Sequence, residues 1–150
     1  MALVIENPLH LSETDYIVLE CLHIVGFVLA IGMTAIVDFQ LLGLVLRKQN
    51  AQQLASLSAW LVAGGLVITI FAGFLLFSVD PDSYYTNITF LAKMSCLCLA
   101  IAFNYTIRRK AVLSAAPPRR AKIVACISLA LWVSIVCCGI FIAGDLLRII

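Results

Sequence analysis

The chain has 150 residues, of which 63% are apolar and 12% charged, with a net charge of +2 and a mean hydropathy of +1.10. An average soluble domain is roughly 45–50% apolar and about 25% charged, and a chain this short has too little interior to hide the excess in a water-soluble core. The composition therefore excludes a soluble globular domain and points to lipid as the solvent.

Residues 1–15, "MALVIENPLHLSETD", lack the basic start and cleavable small-residue site of a signal peptide. The opening "MALVIENPLH" is expected along a membrane interface, and "SETD" (Ser12 to Asp15) to cap the first helix. About 20 apolar residues cross a bilayer as a helix, and the expected spans cover residues 16–46, 59–79, 88–107 and 123–143. The connections "RKQNAQQLASLS", "DPDSYYTN" and "RRKAVLSAAPPRRAK" separate them. Pro81 breaks the second connection, and Pro117 with Pro118 stops any helix in the third. The expectation is one transmembrane domain over 1–150, an all-α, up-down four-helix bundle in the lipid bilayer.

Charge sets the expected orientation. Arg47, Lys48, Arg108, Arg109, Lys110, Arg119, Arg120 and Lys122 are eight of the ten basic residues, and all fall in the first and third connections. Glu6, Glu13, Asp15, Glu20, Asp80, Asp82 and Asp145 fall on the other side. Short cytoplasmic loops collect Lys and Arg, so both termini are expected outside. The sequon at Asn87 has meaning only in a secretory pathway, and no nucleic-acid partner is expected.

Six cysteines (Cys21, Cys96, Cys98, Cys126, Cys137, Cys138) fall inside the spans. Helical residues two apart diverge by about 200° and adjacent ones by about 100°, so neither "CLC" nor "CC" grips one metal ion unaided. Packing is the expected role of each. Ala92, Cys96, Ala100 and Asn104 form a stripe at four-residue spacing, and Gly26 with Ala30 and Gly139 with Ala143 repeat the pattern. Such stripes let helix backbones approach closely in lipid.

Ionisable side chains inside a membrane are costly and face a bundle interior or cavity. His23 is roughly 10 Å inside the first span and Lys93 roughly 9 Å inside the third, from the same side. Phe74, Phe77, Cys137, Cys138 and Phe141 reach that level too. Two readings stand on these residues. In one, His23 ligates the iron of a b-type haem and Lys93 pairs with a propionate. In the other, Lys93 snorkels to the headgroups and His23 hydrogen-bonds a neighbouring helix. Asp38 lies about 22 Å beyond His23, where Arg108 or Arg109 is its expected partner.

The pieces "ECLHIVG" (20–26), "AIVDFQLLG" (35–43), "AGFLLFSVDPDSYYTN" (72–87) and "FLAKM" (90–94) resemble an uncharacterised family of small bacterial four-helix membrane proteins. The layout is more distantly similar to HemJ-type protoporphyrinogen oxidases and CopD-type copper proteins. The HemJ likeness implies a b-type haem, with His23 and Lys93 as the functional pair. The tryptophan and arginine that follow the HemJ histidine have no counterpart in "IVGFVLAIGMTAIVD", and Met-rich copper clusters are absent.

The resemblance favours a haem-dependent redox protein in a bacterial inner membrane. It would exchange electrons with a quinone, an outer-face partner or a porphyrin-like substrate. His23 is the expected metal ligand; Lys93, Met94, Phe74 and Phe77 complete the expected cofactor site. His23 is the sole histidine inside a span, so a second axial ligand would come from Met94, a second copy or a larger complex. The alternative is a cofactor-free accessory subunit of a larger membrane complex.

Overall fold

The structure, a computed structural model, describes residues 12–46, 48–114 and 116–149, and the side chains of all of these except 13 and 145–149. The expected interfacial segment 1–10, His10, Glu6 and Arg47, and the side chains of Glu13 and Asp145, lie outside the described residues. Among the described residues six α-helices follow in order: α1 (Glu13–Leu42), α2 (Ala51–Val79), α3 (Pro81–Tyr85), α4 (Ile88–Phe103), α5 (Arg109–Leu113) and α6 (Pro118–Ile149). A π-helical turn, Asn104–Arg108, joins α4 to α5 as one rod.

Local chemistry places each boundary. Ser12 and Asp15 form a reciprocal capping box at the start of α1, as "SETD" implies. α1 stops at Leu42, four residues short of the expected end, because Gly43 takes a left-handed conformation (φ 78°). The amides of Gly43 and Leu44 then return to the carbonyls of Gln40 and Phe39. Asn50 caps α2 through the Gln52 amide, so α2 begins eight residues before the expected start at 59. Asp80 and Pro81 end α2 and open α3, and Asn87 caps α4 through the amides of Thr89 and Phe90. Pro118 stands at the first position of α6, where its missing N–H is harmless.

Among the described residues four helical stretches are long and apolar enough to cross a membrane: Thr14–Leu42, Ala51–Val79, Ile88–Leu113 and Pro118–Gly144. Their outer surfaces are apolar, with Trp60 85% and Val67 67% exposed, whereas Asp38 and Thr34 inside the bundle are 0% exposed. Polar residues inside and large apolar ones outside is the arrangement lipid selects. The chain is thus all-α with the make-up of a multi-pass membrane protein.

α1 packs against α2 and α6, and α4 packs against α6. Gly26 on α1 meets Thr69 and Gly65 on α2, and His23 one turn earlier meets Gly73, so the two helices run antiparallel. Asp38 on α1 pairs with Arg108 at the far end of the rod, so α1 and α4 run parallel across the diagonal. No Cα of α2 comes within 8 Å of one in α4; at the acidic end the Phe77 and Phe90 rings stack across that seam at 5.5 Å. A central cluster of Ala30, Val62, Leu66, Ala100, Trp132 and Ile135 draws on all four spans.

The α1–α2 seam is the closest approach. A Cβ added to Gly65 would lie 2.6 Å from the Gly26 carbonyl and 2.8 Å from the Ala30 amide, both backbone atoms. The expected pairing of Gly26 with Ala30 as a contact surface is therefore correct. Its complement on α2 is Gly65 with Thr69 and Gly73. Gly65→Ala forces the two backbones apart and is expected to cost about 1–3 kcal/mol, near the upper end. Thermal unfolding of the detergent-solubilised variant, followed by circular dichroism, measures it; Gly64→Ala, where a Cβ meets nothing within 4 Å, is the neutral control.

Candidate functional site

Two polar levels cross the bundle. At the acidic end, His23 Nδ1 lies 2.7 Å from the Thr69 carbonyl, and the Thr69 hydroxyl donates to the His23 carbonyl at 2.9 Å. A carbonyl only accepts, so in the neutral ring Nδ1 carries the proton and Nε2 keeps its lone pair. The Cε1–Nδ1 edge of the ring points at Gly73, where a Cβ would stand 2.8 Å from Cε1 and 2.9 Å from Nδ1. Glycine at 73 is what leaves room for the imidazole.

Lys93 of α4 and Glu20 of α1 both lie within electrostatic reach of the His23 ring. The two residues singled out on separate spans are thus brought to one level. Lys93 Nζ rests beside Gly139 of α6, 3.7 Å from where a Cβ would sit, and interacts with the Cys138 thiol. Among the described residues, this half-buried ammonium has neither a hydrogen-bond partner nor a carboxylate.

Other expected members of the site lie apart. Phe74 is 64% and Met94 39% exposed, both on outward faces, so neither turns toward the bundle interior beside His23. Phe77 is half-buried and forms an aromatic cap with Phe90 and Tyr84, whose rings are 5.4 Å apart. The Tyr84 phenol of α3 approaches that of Tyr16 of α1, and burial first, then that neighbour, pushes it up from the ordinary tyrosine value. Of the cysteines, Cys96 packs against the central cluster and Cys138 is half-buried, while the other four face outward. Among the described residues no three His, Cys, Asp or Glu side chains converge.

At the basic end, Arg108 Nε donates to Asp38 Oδ1 at 2.6 Å, Nη1 to Asn104 Oδ1 at 2.9 Å and Nη2 to the Thr34 carbonyl at 3.0 Å. Asp38 is 0%, Asn104 6% and Arg108 7% exposed. Arg108 is one of the two partners expected for Asp38, and the π-turn that contains it is the departure from helical register that sequence spacing does not disclose. Ser128 of α6 reaches toward the Asp38 carboxylate, although Oδ2 and the Ser128 hydroxyl do not complete a well-formed hydrogen bond. The network joins α1, the rod and α6.

Both levels and all of the four spans except Thr14 fall within residues 15–144, the stretch matched by the model of DUF6644, a family of unknown function. The chain belongs to that family. The DUF6644 match extends through the fourth span, beyond the residues (16 to about 105) that carried the sequence resemblance. No curated protein and no solved structure matches the chain.

Proposed function

We propose that this DUF6644 protein is a redox protein of the bacterial inner membrane that holds a b-type haem at the level of His23 and Lys93. The observation that carries this reading is the state of the two side chains. The Nδ1–H of His23 is committed to the Thr69 carbonyl, which leaves Nε2 as a free donor atom. Metal-ligating histidines are characteristically oriented by such a bond from the other nitrogen. Beside it, the Lys93 ammonium has no counter-ion among the described residues, and a buried charge needs one. An imidazole ligand next to an uncompensated cation suits an iron porphyrin, whose propionates supply the anion.

In this reading His23 Nε2 would hold the haem iron and Lys93 would pair with a propionate. Haem supplies one-electron transfer; the protein orients it and limits water access. Phe74 and Met94, exposed in the single chain, would enter the site only from a second copy or a partner. The basic end is placed in the cytoplasm by the positive-inside rule, which puts both termini and the His23 level outside. Electrons would pass to or from a quinone, an outer-face partner or a porphyrin-like substrate; the HemJ-type likeness bears on this reading as a similarity of layout alone.

The test is an optical spectrum of protein purified from haem-replete cells, oxidised and then dithionite-reduced. A Soret band that shifts on reduction and scales with protein is the expected result. A colourless, fully helical protein would overturn the proposal in favour of a cofactor-free accessory subunit.

A further inference from the structure

The rod of α4, the π-turn and α5 carries a feature that the His23 level does not use. Tyr105, Thr106, Arg109, Lys110, Leu113 and Ser114 line a shallow, open groove of about 400 Å³ along one face of the rod at its basic end. They form two parallel rows at four-residue spacing, 105–109–113 and 106–110–114, and such residues are neighbours on a helix surface. The π-turn matters here because Arg108 turns inward to Asp38, while Arg109 and Lys110 stay exposed. Among the described residues neither has a carboxylate partner. The hydroxyls of Thr106 and Ser114 are occupied by the carbonyls of Ala102 and Lys110. The Tyr105 phenol has no partner among the described residues.

We propose that this groove binds the phosphate of an anionic phospholipid headgroup. Two unpaired cations and a free phenol O–H present donors to a phosphodiester, and the groove stands at the end of the span Ile88–Leu113, the level at which headgroups lie. Ile107 (49% exposed) and Leu113 (48% exposed) flank the cations, so the same surface meets the glycerol backbone and the first carbons of the acyl chains. That apolar border selects a lipid over a free anion. Basic pockets at the ends of spans recognise lipids by this chemistry.

The experiment compares retention of phosphatidylglycerol and phosphatidylcholine by the purified full chain, using native mass spectrometry after delipidation. The variants are R109Q/K110Q and R119Q/R120Q. Both remove the same charge from exposed positions at the same end, but only the first touches the groove. Wild type is expected to retain phosphatidylglycerol preferentially, and R109Q/K110Q to weaken that binding roughly thirtyfold with helicity unchanged. R119Q/R120Q is expected to stay near wild type. An equal loss in both variants would assign the attraction to diffuse surface charge and overturn the groove. Displacement of the lipid by millimolar inorganic phosphate would make it a general anion site and overturn the lipid assignment.

Discussion

Arg108→Ala is expected to destabilise the protein by about 3–5 kcal/mol, because it strands a buried carboxylate without its counter-charge. Asp38 is 0% exposed, so water does not replace the guanidinium. The same substitution leaves Asn104 Oδ1 and the Thr34 carbonyl without the donors they have in the native protein. Each such loss adds roughly 1 kcal/mol or more. Asp38→Ala produces the mirror defect, although Arg108 keeps its bonds to Asn104 and Thr34 and is 7% exposed, so its cost is expected to be the smaller. The informative variant is the double replacement of Asp38 and Arg108 by leucine and methionine. Removing both charges together is often neutral in a buried pair, so most of the lost stability should return. Denaturant unfolding in micelles of this double variant beside Asp38→Leu and Arg108→Met alone closes the double-mutant cycle. If Arg108→Ala costs under about 1 kcal/mol, the pair contributes no more than an exposed one and the network is not a structural lock.

The chemistry of the basic level shows which features a sequence discloses. Depth along a helix follows from residue counting at about 1.5 Å per residue, and it correctly groups Asp38 with the Arg108–Arg109 pair and His23 with Lys93. Azimuth does not follow. A soluble helix declares its inward face by an apolar stripe, but these spans are apolar all round, so nothing in the pattern says which side of α2 or α4 turns inward. That is why Phe74 and Met94, at the right level, lie on outward faces, while Thr69 and Gly73 of α2 are the residues that meet His23. The signal for the latter was available: Gly65, Thr69 and Gly73 repeat every four residues, as Gly26 and Ala30 do on the facing helix. Helix ends were legible where a capping side chain stands, as at Ser12. They were misplaced where hydropathy was used instead, as at residues 46 and 59. The π-turn is not legible in hydropathy or residue spacing, although it contains both Asn104 and Arg108 of the buried network.

If His23 is an axial ligand, Gly73→Ala should weaken haem binding by about ten- to a hundredfold, the usual cost of disturbing a ligand's supporting contacts, without unfolding the bundle. The added methyl would stand 2.8 Å from Cε1 of His23. A side-chain ring can yield where a backbone cannot, so the helices stay together and the imidazole rotates off the Thr69 carbonyl. His23→Ala should remove the Soret band outright, since no other described histidine stands inside a span. Lys93→Met should keep the iron ligand but lose the propionate partner, leaving a band at lower occupancy. Haem titration of the three purified variants, followed at the Soret maximum with circular dichroism as the check on folding, separates these cases. The ordering is the discriminating result: a cofactor-free subunit predicts no spectral difference among the variants, and a purely structural His23 predicts that Gly73→Ala and His23→Ala alter melting temperature alone. The same geometry explains why glycine occupies 73 while 74 carries a phenylalanine: the position facing α1 holds the ring, and its neighbour, one step around the helix, faces lipid.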